Sequence, residues 1–525
     1  MQNEKRLLPI SIQSFEILRT ENCIYVDKTS YVYRLAHDVA QFFLSRPRRF
    51  GKSLFLSTLK SYWEGKKDLF KGLAIEKLEA DNADAWKQYP VFYFDFNGEN
   101  YSTTPVEDVL SNRLKQWEEL YDITDNSETL GGRFQNLLIK VSKKTGMRCV
   151  ILVDEYDKPL LDLVDNPEMQ EHNKAVFKGF FSNLKSCNDY IKFVFITGVT
   201  KFHKVSIFSD LNQLKDISLN EEFSSICGIT ESELKENFAP EITTIAQKNS
   251  ITEEECLTML KKQYDGYRFH HNGVNVYNPF SLINAFSDNE FGAYWFESGT
   301  PSFLIKQIRE NNFDVRKFSD KTIYANERTL KDYTGDSIAP IPLLYQSGYL
   351  TIADYNAQRR RYTLSFPNEE VKNSFLESMM PAYVPSAIVG SGLDIFTFEE
   401  HIEKGELEDI RNFLTAIFAR ITYTSSEAPF EHYFQTVIYL IFTLLRQFTD
   451  CEMHTFSGRI DCRVQTKDFI YLFEFKRDES AEKALQQIND KDYTLPFVAD
   501  SRKLYKIGVS FDSEKRILAD WKVED

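Results

Sequence analysis

The sequence predicts an α/β protein with three parts: a parallel sheet flanked by helices, a helical middle region with a winged-helix-like segment, and a second α/β domain near the C-terminus. Short apolar runs alternate with helical patterns through residues 1–215, which is typical of a parallel sheet covered by helices. A helical pattern, a glycine and a charged hairpin follow one another over residues 341–366. Further along, two helical patterns flank another hairpin.

The composition indicates a globular chain with several domains. The protein has 525 residues, of which 42% are apolar and 27% are charged, so a disordered or fibrous chain is excluded. A net charge of −15 excludes a uniformly basic protein that coats nucleic acid, but it allows a local basic site. The longest apolar run, residues 436–445, is about half as long as a bilayer requires.

The N-terminal residues and the cysteines favour a reducing compartment. The apolar stretch at residues 7–10 is too short for the core of a signal peptide. The seven cysteines show no paired metal spacing, which fits a reducing cytosol better than secretion. We therefore expect a cytoplasmic protein with no membrane partner, and a homo-oligomer is compatible with these observations.

Four apolar runs predict the strands of the N-terminal sheet: residues 41–44, 91–96, 149–153 and 191–196. Between the last two runs, apolar residues recur at helical spacing from 176 to 184. That spacing predicts a helix that covers one face of the sheet.

A phosphate site is predicted where Gly51, Lys52 and Ser53 stand between an apolar run and an apolar helical pattern. Backbone N–H groups at such a turn, with a helix N-terminus behind them, bind anions. Lys52 would reach the terminal phosphates and Ser53 would ligate magnesium. Arg46 occupies the position where the full pattern has glycine, so an ordinary basic turn is the alternative. Three arginines, Arg46, Arg48 and Arg49, add positive charge to this loop.

Two carboxylates strengthen the prediction of a nucleotide site. Asp154 and Glu155 follow a strongly apolar strand about a hundred residues after the loop. In phosphoryl transfer the first carboxylate holds magnesium through water, and the second polarises the attacking water. A buried strand with an acidic cap is the alternative for this motif alone. A later strand ends in Thr197 and Thr200, which either face the γ-phosphate or cap the strand.

Four stretches of the N-terminal region resemble the AAA-ATPase-like family of bacterial and archaeal proteins, which are relatives of the archaeal ATPases. The stretches are residues 25–29 (YVDKT), 43–53 (FLSRPRRFGKS), 153–159 (VDEYDKP) and 197–202 (TGVTKF). The resemblance implies a P-loop fold, ATP and Mg²⁺ as cofactors, and Lys52, Ser53, Asp154 and Glu155 as site residues. We assign nucleotide contacts to Arg48, Arg49, Phe50, Gly51, Lys52, Ser53, Leu54 and Asp154, metal contacts to Ser53 and Asp154, and water activation to Glu155. Asp27 and Thr29 are expected to cap a helix, and the stretch 264–269 to be structural.

A second constellation predicts a metal-dependent nuclease. Asp461 precedes a strand-like run that contains Glu474 and Lys476, which lie two residues apart and therefore share one face. Carboxylates from the two arms of a hairpin can bind Mg²⁺, with the Phe475 carbonyl oxygen as a further ligand. Lys476 would orient the hydrolytic water and stabilise charge on the phosphate. An exposed cross-strand ion pair is the alternative.

The region 425–515 resembles the PD-(D/E)XK nuclease domain that is commonly fused behind the ATPase-like family, a restriction-endonuclease-like fold. Ile460 replaces the proline of the nominal motif. The resemblance implies that Glu431 assists the metal and that Gln487 and Tyr493 contact the substrate. Basic residues are frequent here and would suit a phosphate backbone: Arg446, Arg459, Arg463, Lys467, Lys476 and Arg477.

These observations predict five segments. They are a P-loop AAA-like ATPase domain (1–215), a helical lid (216–335), a winged-helix-like segment (336–380), a linker (381–424) and a PD-(D/E)XK nuclease-like domain (425–525). The predicted function is an ATP-binding and ATP-hydrolysing protein whose nuclease domain cleaves nucleic acid, with DNA favoured over RNA. Asp461 and Glu474 would hold the metal, and Lys476 would act with them in catalysis. Two alternatives remain at this level: a nucleotide-switched or DNA-binding protein that binds without cutting, and an ATPase that acts on protein partners.

Overall fold

The computed structural model describes residues 6–125, 127–201, 214–297, 302–311, 313–318, 323–331, 340–383, 395–419, 430–445, 450–453, 460–515 and 517–525. The chain forms two compact units. The first unit contains residues 1–298 and 324–370, and the second contains residues 299–323 and 371–525.

The first unit is built on a five-stranded parallel sheet. Its strands are β1 (Gln41–Ser45), β2 (Val91–Asp95), β3 (Cys149–Asp154), β4 (Ile191–Gly198) and β5 (Leu214–Asp216). The strand order is β2-β3-β4-β1-β5, and every neighbouring pair is parallel. All six residues of β3 are buried because helices cover both faces of a parallel sheet. The carboxyl ends of β1, β3 and β4 therefore lie side by side at the centre of one sheet edge.

Helices surround this sheet, and several begin at side chains that cap their free N–H groups. Thr230 and Thr252 each start a helix with a capping box, completed by Glu233 and Glu255. The helices of the first unit, including the 3₁₀ turns, are Phe15–Thr20, Thr29–Ala36, Lys52–Trp63, Lys67–Phe70, Ala74–Leu78, Val106–Leu120, Leu130–Thr145, Lys158–Leu161, Pro167–Phe181, Asn183–Ser186, Asn188–Tyr190, Glu221–Phe223, Glu231–Asn237, Ala239–Lys248, Glu253–Tyr264, Pro279–Asp288, Tyr294–Glu297, Glu327–Lys331 and Ile341–Gln346.

A small sheet follows in the order β6-β8-β7. Its strands are β6 (Ile323–Ala325), β7 (Thr351–Asn356) and β8 (Arg361–Ser365), and β7 and β8 form an antiparallel hairpin. The helix Ile341–Gln346 ends just before Gly348, whose φ is 92°. The predicted order of helix, glycine and hairpin is therefore confirmed.

The second unit is a mixed five-stranded sheet with helices. Its strands are β9 (Asp450–Met453), β10 (Cys462–Gln465), β11 (Phe469–Arg477), β12 (Lys503–Asp512) and β13 (Ile517–Glu524), in the order β13-β12-β11-β10-β9. β11 and β12 are parallel, whereas the other neighbouring pairs are antiparallel. The helices, including 3₁₀ turns, are Ser302–Glu310, Val315–Phe318, Glu369–Tyr383, Ile395–Lys404, Leu407–Ala419, Phe430–Leu445, Ala481–Asp490 and Leu495–Phe497.

The predicted fold class is confirmed, with additions that the sequence pattern did not reveal. The four strands expected in the N-terminal sheet form as β1 to β4. The short strand β5 was not predicted, because three residues carry too little pattern, and β12 and β13 were also not predicted. The five-segment division stays a prediction. Within the described residues, no helix is both long and apolar enough to cross a membrane.

At Gly266 the backbone conformation and a neighbouring carbonyl group leave no room for a side chain. Its φ is 103°, and a Cβ atom there would lie 2.0 Å from the carbonyl oxygen of Pro367. We predict that Gly266→Ala destabilises the first unit by at least about 2 kcal/mol, because both the left-handed backbone and the clash oppose alanine. Thermal denaturation of the full chain measures the effect. Gly179→Ala is the control, because that helical position has no atom within 4 Å of a new Cβ and should be neutral or stabilising. Equal melting temperatures for both variants would contradict the prediction.

Candidate functional site

The loop between β1 and the helix Lys52–Trp63 brings backbone N–H groups to the carboxyl edge of the parallel sheet. Gly51 precedes the helix with φ 89°, and Arg49 also has a positive φ, of 67°. These left-handed residues turn the chain sharply so that the helix begins at Lys52. Its first N–H groups have no intrahelical acceptor, which makes the turn an anion-binding element.

Arg46 has a structural role rather than the phosphate-facing one suggested by its charge. Its side chain is buried, and its guanidinium donates hydrogen bonds to the carbonyl oxygens of Ser218 (2.8 Å) and Phe223 (3.0 Å). The guanidinium carbon also lies 4.0 Å from the centre of the Phe269 ring. Because these partners come from distant parts of the chain, sequence spacing could not identify them. The positive charge of Arg46 is therefore bound to carbonyl oxygens inside the fold, and Arg48 and Arg49 are the loop arginines that line the cavity described below.

Lys52 is the first residue of the helix, and its side chain folds back onto the preceding loop. It is 3% exposed, and its Nζ donates to the carbonyl oxygens of Arg46 and Pro47 at 3.1 Å each. These two contacts with neutral acceptors place the ammonium group at the loop. Such a charge favours the binding of a polyanion.

Asp154 and Glu155 follow β3 and meet the end of β4. The Asp154 carboxylate is 1% exposed and accepts hydrogen bonds from the hydroxyls of Thr197 (2.7 Å) and Tyr93 (3.3 Å). The backbone N–H of Glu155 donates to Oγ1 of Thr197 at 3.4 Å. Thr197 therefore contacts both members of the pair, in keeping with the role expected for a polar residue at this strand end.

Glu155 has an unusual conformation and environment. Its φ is 49°, a left-handed backbone that costs free energy in a residue with a side chain. Burial raises the pKa of its carboxyl group, while the charge of Lys52 acts in the opposite direction. A strained, partly buried carboxylate beside a buried lysine is the type of group that enzymes use to move protons.

Asp157 holds the segment after β4 and was not singled out from the sequence. Its buried carboxylate accepts hydrogen bonds from the backbone N–H groups of Val199 (3.1 Å) and Thr200 (2.6 Å) and from the Thr200 hydroxyl (2.7 Å). Thr200 thus bonds to Asp157, whereas Thr197 is the threonine that bonds to Asp154 and Glu155. The signal that could have identified Asp157 is its place in the motif 153–159.

Aromatic residues support the loop from behind. The Phe50 side chain is buried, with its ring centre 4.6 Å from that of Tyr267 and 5.5 Å from that of Phe269. The Phe50 side chain thus belongs to the core, and polar contact with a ligand is left to its backbone. The indole N–H of Trp295 donates to the Arg48 carbonyl oxygen at 3.0 Å. The structural interpretation of residues 264–269 is therefore confirmed, and no sequence pattern indicated Trp295.

The expected capping by Asp27 and Thr29 is also confirmed. One oxygen of Asp27 accepts from the N–H of Thr29 at 2.8 Å, and the other accepts from the N–H of Ala74 at 2.7 Å. One carboxylate therefore caps two helices.

A cavity of about 500 Å³ lies in front of this loop, a size typical of small-molecule sites. It brings together most of the predicted residues, but Asp154 and Phe50, which are both buried, do not line it. The predicted residues that line it are Arg48, Arg49, Gly51, Lys52, Ser53, Leu54 and Glu155, together with Lys158 and Asp162. Three cationic side chains from the loop and a hydroxyl at the helix start suit a nucleotide triphosphate with its magnesium ion.

In the second unit, strand register brings Asp461 and Glu474 together. β10 and β11 are antiparallel with Cys462 opposite Phe473, so the preceding Asp461 faces Glu474. The Asp461 N–H donates to Glu474 Oε2 at 3.4 Å, and Asp461 Oδ2 accepts from the Phe475 N–H at 2.9 Å. The two carboxylates predicted from the two arms of the hairpin are thus neighbours.

Lys476 and Gln487 complete this cluster. Lys476 Nζ lies 3.2 Å from Glu474 Oε1 and donates to Oε1 of Gln487 at 2.6 Å. The side-chain amide of Gln487 also donates to Glu474 Oε1. Gln487 therefore orients both the lysine and the carboxylate, which the sequence resemblance did not indicate. The rings of Phe473 and Phe475 stack on one another with centres 6.1 Å apart, on the opposite face of β11, as the alternation predicts.

The charge balance of the cluster suits a divalent cation. Burial and the negative charge of Asp461 raise the pKa of Glu474 to about 7, and the charge of Lys476 only partly opposes them. Two carboxylates that repel each other in a buried position gain stability when a hard cation binds between them. Asp461 and Glu474 fit such an ion.

The structure describes only some of the other residues that the sequence predicts for this site. Glu431 belongs to the helix Phe430–Leu445, but its side chain lies outside the described residues. Arg446 and Arg459 also lie outside them. Tyr493 packs against the core of the second unit, and its buried hydroxyl has no hydrogen-bond partner among the described residues.

The raised pKa of Glu474 leads to a stability prediction in metal-free buffer. The folded second unit holds this proton more tightly than the unfolded chain, so folding stability falls as pH rises from 4.5 to about 7. Glu474→Gln should therefore stabilise the second unit by about 1–3 kcal/mol at pH 7.5, and the gain should nearly vanish below pH 4.5. Amide hydrogen exchange in β11 and β12 measures the change.

Glu524→Gln in the same unit is the matched control. Hydrogen bonds from Asn489 and Lys506 lower the pKa of Glu524, so its neutralisation should not stabilise the fold at either pH. A Glu474→Gln variant that is less stable than the wild type at pH 7.5 would show that the carboxylate pair is a structural feature.

Comparison with family models identifies both parts of the chain. A model described as predicted AAA-ATPase matches residues 9–208, and a PD-(D/E)XK nuclease superfamily model matches residues 429–521. Both resemblances inferred from the motifs are thereby confirmed.

Comparison with individual proteins extends this match to nearly the whole chain. A protein of Azotobacter chroococcum mcd 1, described as an uncharacterized protein in the vnfD 5′ region, is 33% identical over 99% of both chains. The solved structure of the Aeropyrum pernix ORC2 protein in ADPNP–ADP complexes covers 72% of this chain and 97% of that chain at 9% identity. Its TM-score of 0.25 is too low to support any conclusion. The chain belongs to the predicted AAA-ATPase family and carries a domain of the PD-(D/E)XK nuclease superfamily at its C-terminal end.

Proposed function

We propose that the protein binds and hydrolyses ATP in its first unit and cleaves nucleic-acid phosphodiesters with a divalent metal in its second unit. The observation that carries this proposal is the convergence of Asp461, Glu474 and Lys476 at one point of β10 and β11. Two repelling carboxylates, one buried and one half-buried, cost stability, which is expected where the pair has a chemical role.

The nucleotide part of the proposal rests on the cavity in front of the loop. Arg48, Arg49 and Lys52 supply positive charge, and the N-terminus of the helix Lys52–Trp63 supplies N–H donors. A triphosphate matches this arrangement better than a monoanion, because several cationic groups line one cavity.

A second pocket supports a nucleotide over inorganic polyphosphate. It has a volume of about 90 Å³ and an apolar lining that includes Tyr25, Phe50 and Ile226. Gly51 and Leu54 line both this pocket and the large cavity. The apolar lining of the pocket suits contact with the face of a purine base whose phosphates lie in the cationic cavity.

In hydrolysis, Mg²⁺ with its nucleotide would neutralise developing charge on the phosphates. Ser53 and Asp154 are the residues that would hold this ion, and Thr197 and Tyr93 orient the Asp154 carboxylate through their hydroxyls. Glu155 would accept a proton from the attacking water, a role helped by burial, which raises the pKa of its carboxyl group. Lys52 would contact the terminal phosphates.

In the nuclease domain, Asp461 and Glu474 would hold a divalent ion that supplies an activated water. Lys476, held by Gln487 at 2.6 Å, would stabilise charge on the phosphorane. Positively charged groups aimed at this developing charge act mainly on the transition state. The alternative of a domain that binds without cutting is less well supported, because binding alone does not require the carboxylate pair.

We predict that Lys52 and Glu155 act in different steps, nucleotide binding and hydrolysis, so that substitutions affect one step each. Lys52→Ala should weaken ATP binding about ten- to a hundredfold or more, because a charge-assisted contact is worth roughly 1.5–3 kcal/mol. Glu155→Gln should keep Mg-ATP bound and slow hydrolysis by about 10²- to 10⁴-fold, because it removes the base alone. Calorimetry and phosphate release measure the two effects. Lys115→Ala, which changes an exposed lysine on the helix Val106–Leu120, should alter neither. Undiminished hydrolysis by Glu155→Gln would exclude the role assigned to Glu155.

We predict that cleavage depends on the carboxylate cluster. Asp461→Asn should lose the metal ion and lower cleavage by orders of magnitude, whereas Lys476→Ala should retain metal binding and still lose most of the rate. Mg²⁺ and Mn²⁺ titrations with DNA and RNA substrates, with and without ATP, measure both effects. Asp468→Asn changes an exposed carboxylate at the turn of the same hairpin and should leave cleavage unchanged. If the wild type cuts none of these substrates, the binding-only alternative is favoured.

A further inference from the structure

The hairpin of β7 and β8 carries arginines that neither proposed site uses. The turn 357–360 joins Asn356 to Arg361, and it places Arg359, Arg360 and Arg361 in succession at the tip. The hairpin 351–365 contains these three arginines and a single acidic residue, Asp354, while the whole chain has a net charge of −15. This part of an acidic protein is therefore locally positive.

Two of these three arginines have no ion-pair partner among the described residues. Arg359 and Arg360 are exposed, and neither forms an ion pair in the part of the chain that the structure describes. Arginines that only solubilise a surface usually alternate with acidic residues. Two adjacent unpaired guanidinium groups instead present a concentrated site for an anionic partner.

Backbone hydrogen bonds define the shape of the tip. The N–H of Arg359 donates to Asn356 Oδ1 at 2.9 Å, and the N–H of Arg360 donates to the Ala357 carbonyl oxygen at 3.3 Å. Arg360 has a φ of 47°, where glycine or asparagine would be less costly. An arginine at such a position suggests that its side chain, rather than its backbone, is what the turn requires.

Aromatic rings pack together at the end of the hairpin that adjoins the turn. Tyr355 and Tyr362 are directly paired, with ring centres 4.6 Å apart, and the His271 ring stacks on Tyr355 at 4.2 Å. The Arg361 guanidinium lies 3.9 Å from the ring centre of Tyr324, which is 44% exposed. The arginines are thus presented from a firm support, with an accessible aromatic ring beside them.

We propose that this hairpin is a second nucleic-acid-binding surface, on the ATPase unit, that contacts the phosphate backbone of DNA without reading its sequence. Guanidinium groups pair with phosphate oxygens in a bidentate manner, and an aromatic ring beside them suits a sugar or base face. A membrane is a poorer partner, because Ala357 and Gln358 are the other residues of the turn and neither can anchor in lipid. The surface would hold DNA independently of whether the second unit cuts it.

Salt-dependent DNA binding by the full chain tests this proposal. Fluorescence anisotropy with labelled 30-base-pair duplex and single-stranded DNA is measured in EDTA at 50–200 mM salt, so that cleavage cannot interfere. Arg359→Ala/Arg360→Ala should weaken binding about tenfold or more and reduce the slope of log K against log salt by about 2, because two phosphate contacts are lost. Arg359→Lys/Arg360→Lys should retain the wild-type slope.

Lys261→Ala/Lys262→Ala is the matched control, because it removes two adjacent exposed charges from a helix of the same unit. It should bind DNA like the wild type. Equal affinity and slope for the arginine double variant and the wild type would overturn the proposal. The proposal would also be overturned if the wild type bound phosphatidylserine vesicles or a polyglutamate peptide but bound neither duplex nor single-stranded DNA. Loss of DNA binding in the arginine variant, with no cleavage by the wild type, would leave this proposal standing and reject the nuclease function.

Discussion

The buried guanidinium of Arg46 is the interaction on which the nucleotide site depends. It follows β1 and bonds to carbonyl oxygens of residues 218 and 223, while its face covers Phe269. A buried charge is tolerated only when it is well solvated by the protein, so these three segments have to be in place around it. The loop that presents Lys52 then has a defined start, and Phe50 anchors its other end in the same aromatic cluster. An anion site built from backbone N–H groups needs this rigidity, since a mobile loop would lose entropy on binding.

The parallel sheet supplies the other half of that site. Because β1, β3 and β4 are neighbours, their carboxyl ends bring the loop, the Asp154–Glu155 pair and Thr197 to one edge. Hydrogen bonds then orient each group: Thr197 serves the carboxylate pair, and Asp157 holds the segment after β4. The orientation of the carboxylates is therefore set by hydrogen-bond partners rather than by a ligand in the cavity. The same hydrogen bonds hold the backbone of Glu155 in its strained, left-handed conformation.

The candidate site of the second unit differs from the nucleotide site in the partners of its charged groups. In the first site, buried charges are matched by carbonyl and hydroxyl groups, whereas in the second two carboxylates face each other and raise the pKa of Glu474 to about 7. One lysine and one amide, Lys476 and Gln487, relieve this repulsion only in part. The site is thus less stable without a cation than with one, which couples metal binding to the order of the hairpin. The same reasoning distinguishes it from the tip of β7 and β8, where unpaired positive charges are exposed and cost little.

The sequence alone determined the elements that local pattern encodes. Apolar runs located β1 to β4, the loop motif located Lys52 and Ser53, and strand alternation placed Glu474 and Lys476 on one face of β11. The resemblance to two families followed from such short motifs, and both family models agree with it.

The tertiary structure decided what each charge contacts. Arg46 was expected to add positive charge to the loop, and the structure shows that its hydrogen-bond partners lie up to 177 residues away. Trp295 reaches the loop across 247 residues, and Gln487 reaches Lys476 from a different element. Local spacing cannot encode these contacts, because they exist only once separate segments pack and exclude the water that would otherwise solvate each charge.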